Sequence, residues 1–277
     1  MDSAMIRTDM PSQFSAIGFS ITSGEDLAAL ASRVAGDAET ISAAPGDYLK
    51  WASPSGEQLW LQITRSGDAM GMSAHFAGLS SIRIVVEARV TRPSHTPLDG
   101  TFLAWANPPA GAVTGGDYPF VFDCPDAATH LALPLPATVT AQVAAFAQEL
   151  SLYESEHAYA ASRAGEGVSS PSRSFIPSGL MAPDGTPRNP PEPHALIAGH
   201  VLEAGVRVNA VSGLPFWWAL VDTVGGTFDV VIDPELLPTP PRPGNVIAGW
   251  FWLSGRLQTA KPEAKGALGW IQRLAGR

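Results

Sequence analysis

The sequence predicts an α+β protein in two parts: an N-terminal mixed sheet carrying one or two packed helices, then a C-terminal small β-barrel or curled antiparallel sheet. Three observations carry this prediction. Period-two apolar runs alternate with one capped helical pattern in the first half, a Pro/Gly/Ser-rich stretch interrupts the chain near its middle, and short strand-like runs dense in tryptophan follow it. The expected division is an α+β domain over 1–163, a linker over 164–193 and a β-rich domain with a short C-terminal helix over 194–277. A chain of 277 residues is long enough for two such cores.

In chain order, Ile17, Phe19 and Ile21 alternate with Gly18, Ser20 and Thr22, which predicts an opening half-buried strand. Ser23 three residues before Asp26 forms a capping pattern, and Leu27, Leu30, Ala31 and Val34 repeat at helical spacing until Gly36. Pro45-Gly46 marks a turn before a short strand from Tyr48 to Trp51. Pro54-Ser55-Gly56 then turns into a stronger strand in which Leu59, Leu61 and Ile63 alternate with Trp60, Gln62 and Thr64, with a further strand around Ala69 to His75. Strands are expected at Ile82 to Thr91, Thr101 to Ala106 and Tyr118 to Asp123. Val139, Val143, Phe146, Leu150, Tyr153 and His157, stepping by four and three, predict a helix from Thr138 to Ser162.

The linker's eleven prolines and glycines oppose regular structure, although the apolar island Phe175 to Met181 is suited to docking on a domain. Beyond it, strands are expected at Ala195 to Asn209, Pro215 to Thr223, Thr227 to Asp233 and Val246 to Leu257, followed by a basic amphipathic helix carrying Lys261, Lys265 and Arg273.

The formal charge of −9 disfavours a nonspecific nucleic-acid binder, which needs cations to displace counterions from phosphate. A single cysteine, Cys124, excludes an internal disulfide and a cysteine-rich zinc site. The N-terminal stretch has no apolar core of a secretory signal, and the longest apolar runs fall short of the ~20 residues that cross a bilayer. The expectation is a cytoplasmic protein with no membrane span, whose partner is another protein or a second copy of itself.

The run Ala16-Ile17-Gly18-Phe19, closed by Gly56-Glu57-Gln58-Leu59-Trp60-Leu61-Gln62, resembles a half-module of the glyoxalase-like vicinal-oxygen-chelate family over about one fifth of the chain. That resemblance implies a metal held by a histidine of the opening strand and a carboxylate of later strands. Here Ser15, Ala16, Ile17 and Gly18 stand in the opening strand, so no metal and no cofactor is expected. From Gly199-His200 through Phe216-Trp217-Trp218 to Trp250-Phe251-Trp252, the strand rhythm is similar to OB-fold-like barrels.

No motif of fixed spacing assigns a catalytic residue. Asp117, Asp123, Asp126 and His130 gather around Cys124 and offer oxygen and nitrogen ligands to a divalent cation, but Asp beside Pro125 equally serves to cap a turn. His75 and His95 titrate in the range of a general base and lack a partner at recognisable spacing. The leading expectation is a non-catalytic interaction or scaffold protein using Trp217, Trp218, Trp250 and Trp252 as its surface. The alternative is a glyoxalase-like enzyme or small-ligand binder with a pocket at Tyr48, Trp51, Glu57, Trp60 and His75.

Overall fold

The computed structural model describes residues 12–164, 171–182 and 184–258; the expected C-terminal amphipathic helix lies outside them. Helix α1 (Gly24–Val34) forms where the capping pattern places it. Ser23 Oγ accepts the Asp26 amide at 3.1 Å, and the Asp26 carboxylate accepts the amide and hydroxyl of Thr22. The expected opening strand is instead a 3₁₀ turn over Ser15–Ile17, ended by Gly18 at φ 81°. Ala16, Ile17 and Phe19 are buried because Asn209 Nδ2 and Ser212 Oγ hold the carbonyls of Ile17 and Gly18 against β-structure far along the chain. The alternation at 17–21 therefore reports a pinned loop rather than a pleated strand.

After α1 come four antiparallel strands paired in sequence order: β1 (Glu39–Ala43), β2 (Gly46–Ala52), β3 (Glu57–Thr64) and β4 (Ala69–Phe76). β3 is covered on both faces. Leu59 and Leu61 pack with Leu30 and Val34 of α1, while Trp60 on the opposite face packs edge-on against Tyr48, beside Leu98.

A second, nine-stranded sheet holds β5 (Ile82–Val90), β6 (Thr101–Ala106), β7 (Pro119–Asp123), β8 (Ala137–Tyr153), β9 (Ser174–Ile176), β10 (His194–Val208), β11 (Pro215–Thr223), β12 (Gly226–Ile232) and β13 (Val246–Gln258). Its spine is a long antiparallel ribbon of β8 and β13, running from Thr140↔Gln258 to Tyr153↔Val246. The other edge of β8 pairs with β5 and then, in parallel, with β12; the other edge of β13 pairs with β10 and, through Ser254↔Asp123, with β7. The pairings close two circuits that share the ribbon, one through β5, β6 and β7 and the other through β12, β11 and β10.

This connectivity corrects three expectations. Strands β10 to β13 do not pair only among themselves, because their circuit closes through β8, so the sheet does not divide at 164–193. The linker also contributes structure: β9 pairs with β10, and Phe175 stacks on Tyr118 and Phe228 at ring separations of 4.4 and 5.3 Å. The helix expected over 138–162 is β8 followed by a short helix, α2 (Glu156–Ser162), capped by Ser155. Both faces of β8 are covered, Val143, Ala145 and Ala147 by one core and Ala144 and Phe146 by another, so no simple alternation survives in its sequence.

Candidate functional site

The ribbon's outer face is where the two sheets meet. Gln142, Ala144 and Phe146 of β8 stand beside Arg256, Ser254 and Trp252 of β13 in register, and β4 lies over them. Alanine at 144 leaves room for His75 of β4, which is wholly buried. His75 Nδ1 lies 2.9 Å from Ser254 Oγ and its Nε2 lies 2.9 Å from Gln142 Oε1. The Gln142 amide donates to Asp229 at 2.9 Å, so its carbonyl faces the histidine and Nε2 carries the proton. Nδ1 is then the acceptor for the Ser254 hydroxyl.

Asp229 ends the chain of bonds. Its wholly buried carboxylate accepts the amides of Leu79 and Ser80, the Trp218 indole and the Gln142 amide, at 2.8 to 3.0 Å. Burial, with the nearby Arg256 charge, lowers the His75 pKa to about 3, so the ring stays neutral through the physiological range.

Ser254 also lines a cavity of about 240 Å³ between β4, the 92–100 loop, the end of β7 and β13. Gln13, Ser73, Arg92, His95, Asp99, Asp123, Cys124 and Trp252 contribute to its walls. Arg92 forms a close ion pair with Asp123 and donates to Thr101 Oγ1 at 2.5 Å. Burial raises the Asp123 pKa to about 6 even though Arg92 opposes the rise, and burial lowers that of His95. Three of the lining residues carry a buried polar atom without a hydrogen-bond partner: Ser73 Oγ, Arg92 Nε and Trp252 Nε1. The indole N–H reaches toward Asp123 without completing a bond of good geometry.

Behind the cavity wall, Cys124, Asp126 and His130 bring a sulfur, a carboxylate oxygen and a ring nitrogen within 4.8 Å of one another. The Asp126 Oδ2 accepts from Arg256 at 2.8 and 3.0 Å; its Oδ1 faces Cys124 Sγ at 3.1 Å and His130 Nε2 at 3.6 Å. Burial would raise the Asp126 pKa, but His130 and Arg256 hold it well below the usual carboxylate range. Burial and the neighbouring carboxylate push the Cys124 thiol up.

The chain matches no protein-family model, and no curated protein is significantly similar to it.

The sequence-derived residues fall mostly elsewhere. Tyr48, Trp51, Glu57, Trp60 and His75 share the small sheet but do not line one pocket. Tyr48 is buried with its hydroxyl between Leu98 O and Ala128 N, Glu57 accepts the Ala210 amide, Trp60 donates to Gln58, and Trp51 packs edge-on against Phe19. Of the tryptophans, Trp218 is buried on Asp229, Trp217 is half-buried with its indole on Leu237 O, and Trp250 and Trp252 flank His194. None belongs to the exposed large apolar residues: Trp218 is buried, and Trp217, Trp250 and Trp252 are half-buried. Alternation holds in both sets, since Trp218 and Phe251 are buried while Trp217, Trp250 and Trp252 are only partly so; α1 and the small sheet then cover part of the face that Trp218 and Trp252 share. Asp117 bonds Asn107, away from the Cys124 group. Sequence reading missed Arg92, Ser73 and Ser254. The alternation that sets Trp252 and Ser254 on one face of β13 was legible, but not what would cover that face.

No helix among the described residues is long and apolar enough to cross a membrane.

Proposed function

We propose that this protein binds a small polar molecule with an acceptor-rich group, such as a carboxylate or phosphate, in the cavity beside Arg92 and Ser254. One observation carries the reading: three residues that line one cavity, Ser73, Arg92 and Trp252, from separate strands and a loop, each carry a buried donor without a partner, Oγ, Nε and Nε1 respectively. Buried polar groups are paired in nearly all proteins, and leaving one unpaired costs about 1–3 kcal/mol. A ligand offering several oxygens would recover that cost in a single step.

The cavity volume of about 240 Å³ lies below the ~300–1,000 Å³ typical of drug-sized pockets, which indicates a metabolite-sized molecule. The Arg92 and Asp123 pair supplies opposite charges, and His95 adds a neutral polar edge. Binding fits better than turnover through Ser254, since its hydrogen-bonded histidine is held too weakly basic to take up the serine proton near neutral pH. This reading belongs to the small-ligand class that the sequence offered as its alternative, at different residues. The interaction-surface reading has no comparable support.

Thermal-shift and calorimetric titration of the purified chain with a panel of small carboxylates and phosphates tests the proposal. At least one ligand should raise the melting temperature. Ser73→Ala, which removes one donor and little volume, should weaken binding about 10–150-fold, the equivalent of one hydrogen bond to a charged group. If no member binds, or if Ser73→Ala and Arg92→Lys bind as the parent does, the cavity is not the site.

A further inference from the structure

The Cys124, Asp126 and His130 group is separate from the donors invoked above. Its geometry is that of a ligand set. Zinc bond lengths of about 2.3 Å to sulfur and about 2.0–2.2 Å to nitrogen and oxygen place tetrahedral ligand atoms about 3.3–3.6 Å apart. The separations here are 3.1 Å from sulfur to oxygen, where the thiol donates a hydrogen bond that a metal would replace, and 3.6 Å from nitrogen to oxygen, with every pair within 4.8 Å. A cation could enter by shifts of a few tenths of an ångström to about one ångström.

Local structure explains why the three converge. Asp126 sits where the 3₁₀ turn Ala127–His130 begins, and Thr129 bonds back to the Asp126 carbonyl through both amide and hydroxyl. That turn carries His130 back over the carboxylate. Cys124 is held from the other side, its amide donating to the Gly100 carbonyl. Arg256 fixes the outer carboxylate oxygen with two hydrogen bonds, while its guanidinium lies over the Trp60 ring. The inner oxygen is thereby aimed at the sulfur and the imidazole. Oriented outer partners of this kind are a recurring part of metal sites.

The imidazole also has room for a closer partner: His130 Nε2 is buried, and its contact with Asp126 Oδ1, at 3.6 Å, is long for a hydrogen bond. A cation between that nitrogen, the thiol and the carboxylate would shorten all three contacts at once.

We propose that Cys124, Asp126 and His130 form a three-ligand site for a divalent cation of the zinc class, with its fourth position beside the cavity that Cys124 also lines. The mixed sulfur, nitrogen and oxygen set favours zinc over magnesium or calcium, which take oxygen ligands. On binding, the metal–sulfur bond forms as the thiol proton leaves to solvent. The resulting thiolate and the Asp126 carboxylate offset the two charges of the ion, and the Arg256 guanidinium on the same carboxylate leaves the group with one net positive charge. The site stands whether or not the cavity binds an organic ligand.

Cobalt(II) titration of the metal-stripped full chain tests this. Cys124 is the only cysteine of the chain, so a thiolate-to-cobalt charge-transfer band in the near ultraviolet has one possible source. The expected result is that band, saturating at one equivalent together with intense visible bands of tetrahedral cobalt, and its displacement by zinc. Cys124→Ser should abolish the charge-transfer band, and His130→Ala should lower cobalt affinity by more than about 100-fold. His95→Gln, altered in the cavity but not in the ligand group, should leave both intact. Should either ligand variant fail to fold, zinc-edge X-ray absorption of the parent protein decides instead, with one sulfur at about 2.3 Å and nitrogen or oxygen at about 2.0–2.2 Å expected. Absence of the charge-transfer band, its persistence at full affinity in His130→Ala, or a zinc shell without sulfur would overturn the proposal.

Discussion

Replacing His75 by asparagine should make the protein less sensitive to acid, even though it removes a buried hydrogen bond. Asn places an amide oxygen near the position of Nδ1, where it can accept the Ser254 hydroxyl, but it cannot titrate. In the parent the folded state keeps the ring neutral down to about pH 3, because charging it in a fully buried site is costly. The unfolded chain protonates the same ring below its ordinary value of 6.5. The unfolded state therefore binds the extra proton, and stability present above pH 6.5 is lost progressively as the pH falls toward 3. Each pH unit inside that window is worth about 1.4 kcal/mol, so the loss between pH 7 and pH 5 is about 2 kcal/mol from this one residue. That is a large part of the about 5–15 kcal/mol available to a typical fold. Urea denaturation at pH 7, 6 and 5 measures it in both proteins. His95 and His194, whose pKa values are also lowered, contribute equally to both profiles and cancel in the comparison. Asn should start lower at pH 7, because the Gln142 carbonyl loses its partner, and then decline less by about 2 kcal/mol. Parallel profiles would show that His75 is not held neutral, and the buried network would have to be redrawn.

Two further outcomes follow from the packing. Asp229→Ala strips the partner from the Leu79 and Ser80 amides, the Trp218 indole and the Gln142 amide, and should cost about 3–5 kcal/mol in denaturant midpoints or prevent folding, whereas a loss under about 1 kcal/mol would contradict the network. Phe175→Ala should cost about 3–5 kcal/mol, because its ring fills the space between Tyr118, Phe120 and Phe228; an unchanged midpoint with new protease cleavage near β9 would mean that the segment detaches without consequence for the core.

Local signals were legible wherever a residue's conformation depends on its near neighbours. The Ser23 cap and the spacing of Leu30 and Val34 placed α1, the turn residues at Pro45-Gly46 and Pro54-Gly56 bounded β2 and β3, and β6 and β11 have the limits their apolar runs imply. The docking of Phe175 was likewise readable from an apolar island among prolines. For the candidate site, the sequence brought Cys124, Asp126 and His130 to notice through their closeness along the chain. It also included Asp117 and Asp123, which the fold sends to other partners.

What the sequence by itself determined is therefore the set of local elements, the β-rich character and the acidic surface charge. Tertiary structure alone decided that 138–153 is a strand, since both of its faces are buried and no periodicity distinguishes that state from a helix. It also decided that strands on the two sides of the proline-rich stretch close circuits through one shared ribbon, a pairing written in no local spacing. Ser73, Arg92 and Ser254 meet only across that topology, and the small sheet and α1 pack over Trp218 and Trp252. Each of these outcomes rests on contacts between residues distant in the chain, whose energies depend on which surfaces are brought together rather than on any residue's own preference.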